Sequence, residues 1–252
     1  RESISSLTVD HLIEFRKRFY RPENTLFVIT GNLDPIEVEK RLHTLIPDGY
    51  ENDAHKQSTQ PDIHFKTAPY QLENSHSKQS LLFMVFPTVS EDESRKMRFL
   101  PDLAVNLLGG GMHSLLFESL RENLGLCYAV GMQYMTPCDR GYHSIYALLD
   151  AKNMQQAHDE ALNQLHSLNE NFSEDLFETA KSNLLFGKSR TMETASGRGA
   201  QTDTYFDNGE SLVPFEEFRE GIDSLSKEDV IRFVEEYLNR PKLAVVNADL
   251  PC

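Results

Sequence analysis

The chain has 252 residues, 39% of them hydrophobic and 25% charged, with a formal net charge of −14; this is a soluble globular balance with material for one large domain, or one domain and part of another. No apolar run reaches the roughly 20 residues that a bilayer-spanning helix needs, and the acidic excess argues against a nucleic-acid partner, which requires clustered Lys and Arg; it favours basic or extended peptide ligands instead. The three cysteines, Cys127, Cys138 and Cys252, include no CxxC pair, so neither a zinc ribbon nor a disulfide scaffold is supported. Cys127 and Cys138 could face each other across a hairpin, with free thiols the expected state.

Residue 1 is Arg, no signal-peptide pattern follows it, and a helix begins almost at once. The chain therefore reads as a fragment or a processed piece, and its compartment stays unknown. Residues 7–29, "LTVDHLIEFRKRFYRPENTLFVI", are self-similar to residues 225–246, "LSKEDVIRFVEEYLNRPKLAVV". Thr8 falls on Ser226, Leu12 on Val230, Ile13 on Ile231, Phe15 on Phe233 and Phe19 on Tyr237 at one constant offset. A one-residue insertion then brings Arg21-Pro22 onto Arg240-Pro241. Each copy predicts a Thr- or Ser-capped helix, with Asp229 three residues after Ser226 in capping-box spacing. The second helix should bury Val230, Phe233, Val234 and Tyr237 at 3.6-residue spacing. Pro ends each helix, and an apolar strand follows. A tandem duplication explains the pair: residues 1–46 close one domain, the polar, Pro-bounded stretch 47–62 is a linker, and 63–252 form a complete second copy.

Within that copy, "QSLLFMVFP" (79–87) reads as a buried strand. A helix follows through "FLPDLAVNLL" (99–108), starting near Pro101, where a missing N–H does least harm. "GLCYAVGMQYMT" and "GYHSIYALLD" are strands on either side of "PCDR", a hairpin. A helix from about Asn153 should bury Met154, Ala157, Ala161, Leu165 and Leu168, and Ser173 should cap the next, with Glu174 and Asp175 at its positive end. The Asn171-Phe172-Ser173 sequon carries no information without evidence of secretion. Locally paired strands with helices arriving in blocks indicate α+β, a mainly antiparallel sheet with helices packed on one face.

The chemistry has one candidate location. Neither H-E-x-x-H nor H-x-x-E-H occurs; the nearest approach, His11-Leu12-Ile13-Glu14-Phe15, has Phe15 where a second ligand would stand, and the repeat assigns Phe15 to a core position. No metal ligands are expected on this chain. His158 and His166 are eight apart, and no Gly-x-Ser-x-Gly elbow or phosphate loop is present. What remains is "LLGGGMHSLLFESLRENLGLCYAV" (107–130). Gly109, Gly110 and Gly111 form either a tight helix-to-helix corner with left-handed backbone or a loop beside a peptide substrate. Arg121 either pairs with Glu118 or Glu122, or joins Tyr128 in donating to one developing oxyanion. The alternative for Tyr128 is a place in the core.

That stretch, with "FRKRFYRPENTLFVITGNLDP" upstream, resembles the pitrilysin/insulinase-type zinc metallopeptidases, which include the mitochondrial processing peptidases. The resemblance spans nearly the whole chain. It implies paired homologous α+β domains, of which this is a non-catalytic, C-terminal half. A partner half bearing H-x-x-E-H, on the same polypeptide or a separate subunit, would hold Zn2+. By the same resemblance Arg121 and Tyr128 reach the peptide substrate at that zinc, and this chain alone is inactive. One departure is Leu115, where the family often has Arg. The alternative function is a catalytically inactive scaffold or assembly subunit of the same family.

Overall fold

The computed structural model describes residues 2–45, 70–71, 79–88, 97–136, 141–207, 213–241 and 243–247. In chain order the elements begin with helices α1 (Glu2–Ser5), α2 (Val9–Phe19) and α3 (Pro35–Leu45), with a 3-10 turn at Pro22–Asn24. Strands β1 (Tyr70–Gln71) and β2 (Ser80–Thr88), helix α4 (Leu100–Gly109), a π-helix (Phe117–Asn123) and strands β3 (Cys127–Met135) and β4 (Gly141–Leu149) come next. A 3-10 turn (Ala151–Asn153) leads into α5 (Met154–His166), α6 (Leu168–Asn171), α7 (Glu174–Met192), α8 (Ala195–Asp207), α9 (Phe215–Asp223) and α10 (Lys227–Tyr237), and β5 (Leu243–Asn247) completes the set. The chain separates into two compact units, Arg1–Pro61 with Glu193–Thr204, and Asp62–Met192 with Tyr205–Cys252. The expected linker 47–62 and the hairpin tip 137–140, with Cys138, lie outside the described residues.

The second unit is built on a five-stranded sheet of order β1-β5-β2-β4-β3, antiparallel throughout except where β1 runs parallel to β5. Alternation decides its two faces. Leu82, Met84 and Phe86 of β2 and Ile145, Ala147 and Leu149 of β4 point into one hydrophobic cluster, which also takes the inward stripes of the helices. In α4 these are Leu100, Leu103, Ala104, Leu107 and Leu108, an i, i+3, i+4, i+7, i+8 pattern that fixes the buried side of a helix. Helix α5 contributes Met154, Ala157, Ala161 and Leu165, as read from the sequence, and Leu168 follows in α6. Helix α10 contributes Val230, Phe233 and Val234, with Tyr237 half-buried against them. The fold is α+β, a mainly antiparallel sheet with its helices on one face.

The caps fall where the residue types placed them. Ser226 accepts from the Asp229 amide while Asp229 accepts from the Ser226 amide, and the Leu176 amide donates to the Ser173 hydroxyl. Thr8 caps α2 in the same way, its reciprocal partner being the His11 ring. Two expectations for the first copy do not hold. Residues 25–30 form no strand, and Phe15, matched to the buried Phe233, is 55% exposed, with Leu12 and Ile13 also exposed. The reason is common to both: a strand exists through its ladder and an apolar stripe is buried only against a partner surface, and the described residues of this unit supply neither. Cys127 is a free, buried thiol whose register partner is Leu149, at the end of the hairpin away from the turn.

His143 of β4 sits fully inside the core. Its ring stacks on Tyr134 at 4.9 Å and meets Phe233 edge-on at 5.7 Å. Nε2–H donates to the Pro101 carbonyl at 3.3 Å, whereas Nδ1 has no partner among the described residues. Burial lowers the pKa from 6.5 to about 4, with the bond to Pro101 opposing weakly. The unfolded chain therefore binds a proton that the folded chain refuses between those two values, and the stability this ring contributes is lost as pH falls through that window. A His143→Phe variant should gain on the wild type by about 2 kcal/mol between pH 7 and pH 4.5. Urea midpoints of the two proteins across that range check it, and a difference independent of pH would contradict it.

Candidate functional site

The glycine run ends α4 against the sheet. A Cβ on Gly109 would lie 2.5 Å from both Cβ and N of Met132, so helix and strand approach more closely here than any side chain permits. The corner is less left-handed than its sequence implies. Gly110 closes the helix at φ −86°, and only Gly111, at φ +145°, adopts a backbone reserved for glycine. Ser114, buried, secures the turn by donating both its amide (3.1 Å) and its hydroxyl (2.7 Å) to the Gly111 carbonyl. A small cleft opens beside the loop, bounded by Asn106, Met112, His113, Thr179 and Asn183. Leu115, the departure from the family pattern, is buried in the core with Leu116.

After this corner the chain winds as a π-helix rather than an α-helix, and the Leu124 amide bonds the Ser119 carbonyl five residues back. Gly125 at φ +58° then turns the chain, and the Leu126 amide closes onto the Leu120 carbonyl at 2.8 Å. Strand β3 begins with a second irregularity. Cys127 pairs with Leu149, but Ala129 pairs with Leu148, so Tyr128 is the extra residue of a β-bulge. Its effect on direction is plain from the neighbours. Met132 and Val130 pack on the core face, and unbroken alternation would send residue 128 there too. The bulge gives that place to Cys127 and leaves Tyr128 71% exposed.

Arg121 projects from the π-helix into the same region. Its guanidinium lies 4.8 Å from the Phe117 ring centroid and 5.8 Å from that of Tyr128, both within cation–π range. Its Nε is 3.9 Å from the Glu122 carboxylate, and its side chain keeps 42% exposure. The pairing with Glu122 is thus loose, and burial in the core is excluded for Tyr128. The guanidinium is near enough to act on Cys127, whose thiol burial pushes up while the Arg121 charge opposes it.

Helix α5 holds the segment from behind. The Ser119 hydroxyl donates to the Glu160 carboxylate, and Gln164 Nε2 donates to the same oxygen at 2.7 Å and to Ser119 Oγ at 3.3 Å. Asn153 Nδ2 donates to the Leu126 carbonyl at 2.9 Å. Burial works against the charge of Glu160, yet the bonds from Ser119, Gln164 and Asn163 outweigh it and hold the carboxyl below its usual range. None of these residues stood out in the sequence. The usable signal was the polar pair Glu160 and Gln164 on a helix that is otherwise apolar on its inner side, with Asn153 just before its start.

Among the described residues, no group of three or more His, Cys, Asp and Glu side chains could hold a metal ion. No helix among them is long and apolar enough to cross a membrane. The family model for the peptidase M16 inactive domain matches residues 6–184. The chain belongs to this family. It is 24% identical over 237 residues to an uncharacterized zinc protease of Rickettsia felis, covering 91% of this chain and 55% of that one. It thus spans about half the length of such relatives. The fold matches that of a protease from Helicobacter pylori at TM-score 0.80 and 15% identity, covering 98% of this chain and 60% of that one. A peptidase M16 inactive domain from Pseudomonas fluorescens matches at TM-score 0.72 and 18% identity, over 100% and 60% of the two chains.

Gly109 is the point on which the glycine corner and β3 are set together. Gly109→Ala should lower stability by about 1–3 kcal/mol, the range for overpacking a closed site. Gly111→Ala, with open space at its Cβ, should instead cost on the order of 1 kcal/mol through backbone conformation alone. Thermal denaturation of the two variants checks the order, and equal losses would contradict it.

Proposed function

We propose that this M16 inactive domain is the substrate-contacting, non-catalytic half of a zinc peptidase. It forms one wall of a peptide chamber, and the H-x-x-E-H half that holds the zinc lies on the same polypeptide or on a partner subunit. Arg121 and Tyr128 donate hydrogen bonds to the scissile carbonyl as it becomes an oxyanion, and the open edge of β3 receives the peptide as an added strand. The glycine corner 109–111 borders the same surface. The observation that carries this reading is the adjacency of an arginine and a tyrosine that two separate backbone irregularities turn outward together.

Residues 1–46 are, on this reading, the closing helix and extended segment of the preceding homologous domain. The exposed face of α2, equivalent by repeat to the buried face of α10, is where the rest of that domain covers it. This chain alone does not hydrolyse peptides. In the full-length protein, Arg121→Ala should reduce kcat by about 10²-fold or more, and Tyr128→Phe by a smaller factor, since one donor remains. Steady-state turnover of a peptide substrate by folded variants is the test. Unchanged kcat in both would retire the catalytic reading in favour of a scaffold or assembly role.

A further inference from the structure

We propose that Glu160, with Asn153 and Gln164, is a positioning residue that locks the backbone carrying Arg121 and Tyr128. The proposal rests on the substrate-contacting reading of that pair and adds what sets their geometry.

Three observations meet here. First, the segment 119–126 is irregular, containing the end of a π-helix and a left-handed glycine. π-Turns are intrinsically weaker than α-turns and need outside support. Second, the support comes from α5 and the residue that leads into it. Glu160 and Gln164, four residues apart, lie on the same side of α5, and Asn153 is the residue that immediately precedes the helix. They grip both ends of the segment, the Ser119 hydroxyl at its start and the Leu126 carbonyl at its finish. Third, the grip is charged. Glu160 accepts from Ser119 and from Gln164, and charged acceptors make stronger bonds than neutral ones. Ser119 is buried and Glu160 half-buried, where such bonds persist. These residues bond to the segment that presents the two side chains. If the brace is released, the π-turn can relax by one residue, and in a helix one residue rotates a side chain by about 100°. Arg121 would then leave Tyr128.

The test uses the full-length protein and two kinds of measurement. Hydrogen exchange is read at the Leu124 and Leu126 amides, which report the π-turn, and at the Leu103 and Leu238 amides, bonded within the core helices. Glu160→Ala should speed exchange at Leu124 and Leu126 by about ten-fold or more and leave Leu103 and Leu238 as they were. Glu160→Gln, whose amide oxygen still accepts from Ser119, should restore protection. Ser119→Ala, removing one hydroxyl only, should reproduce Glu160→Ala and serves if that variant fails to fold. On a peptide substrate, kcat should fall with KM retained, and Glu160→Ala should add no further loss to Arg121→Ala. Unchanged exchange at Leu124 and Leu126, or equal acceleration at all four amides, would overturn the proposal. Should Arg121→Ala leave turnover intact, the catalytic reading of the pair fails while the exchange comparison still decides the brace.

Discussion

The direction of two side chains depends on two one-residue irregularities on either side of Gly125. In a regular α-helix followed by a regular strand, Arg121 would be rotated about the helix axis from its present position, and Tyr128 would follow Val130 and Met132 onto the core face. The π-turn shifts the first and the bulge at Tyr128 shifts the second. Each interrupts a ladder of backbone hydrogen bonds, so each weakens the chain locally. Both persist because neighbouring groups satisfy what they disturb: Leu126 closes onto Leu120, Asn153 holds the Leu126 carbonyl, and Ser119 is tied to Glu160. Irregular backbone that is bonded on all sides is the arrangement expected where a side chain must be aimed rather than merely buried.

The rest of the second unit supplies the rigidity that makes such aiming useful. Helix α4 lies so close to β3 that Gly109 admits no Cβ. This close approach fixes where the glycine corner ends and the π-helix begins. Beneath them, Leu116 and Leu120 are fully buried and anchor the π-helix to the sheet. The hydrophobic cluster thus runs from β2 and β4 through α4 to the underside of the segment whose upper side carries Arg121. Packing determines position and the irregularities determine direction.

Much of this was legible in the sequence. The strand 79–87, the helix over 99–108, the hairpin, the stripe through Met154, Ala157, Ala161 and Leu165, and the Ser173 and Ser226 caps follow from period-2 and period-3.6 burial and from side chains that satisfy helix N-termini. Arg121 and Tyr128 were singled out as candidates by the resemblance of the stretch 107–130 to a known family, while the residues alone left a structural role open. Their relative orientation was not legible. A π-turn and a bulge are single-residue insertions, and a periodic pattern read across one simply slips by a position; that is why a core place for Tyr128 was a fair alternative. The brace by Glu160 joins residues 41 apart in sequence and leaves no local mark. The first copy of the repeat shows the opposite limit. Thr8 caps its helix as the second copy's Ser226 does, because capping is local, while Leu12, Phe15 and residues 25–29 lack the burial and pairing of their counterparts, because those depend on surfaces beyond the helix itself.

On the proposed reading, this inactive domain contributes half of an oxyanion site, presented on a braced irregularity to chemistry held elsewhere in the assembled protein. The most direct measurement is a crystal structure of the full-length protein with a phosphinic peptide, which carries a tetrahedral oxyanion at the position of the scissile carbonyl. An Arg121 guanidinium nitrogen and the Tyr128 hydroxyl are expected within about 3 Å of a phosphinyl oxygen. A bound inhibitor with both groups beyond hydrogen-bonding reach, and the pair facing solvent or another subunit, would contradict it.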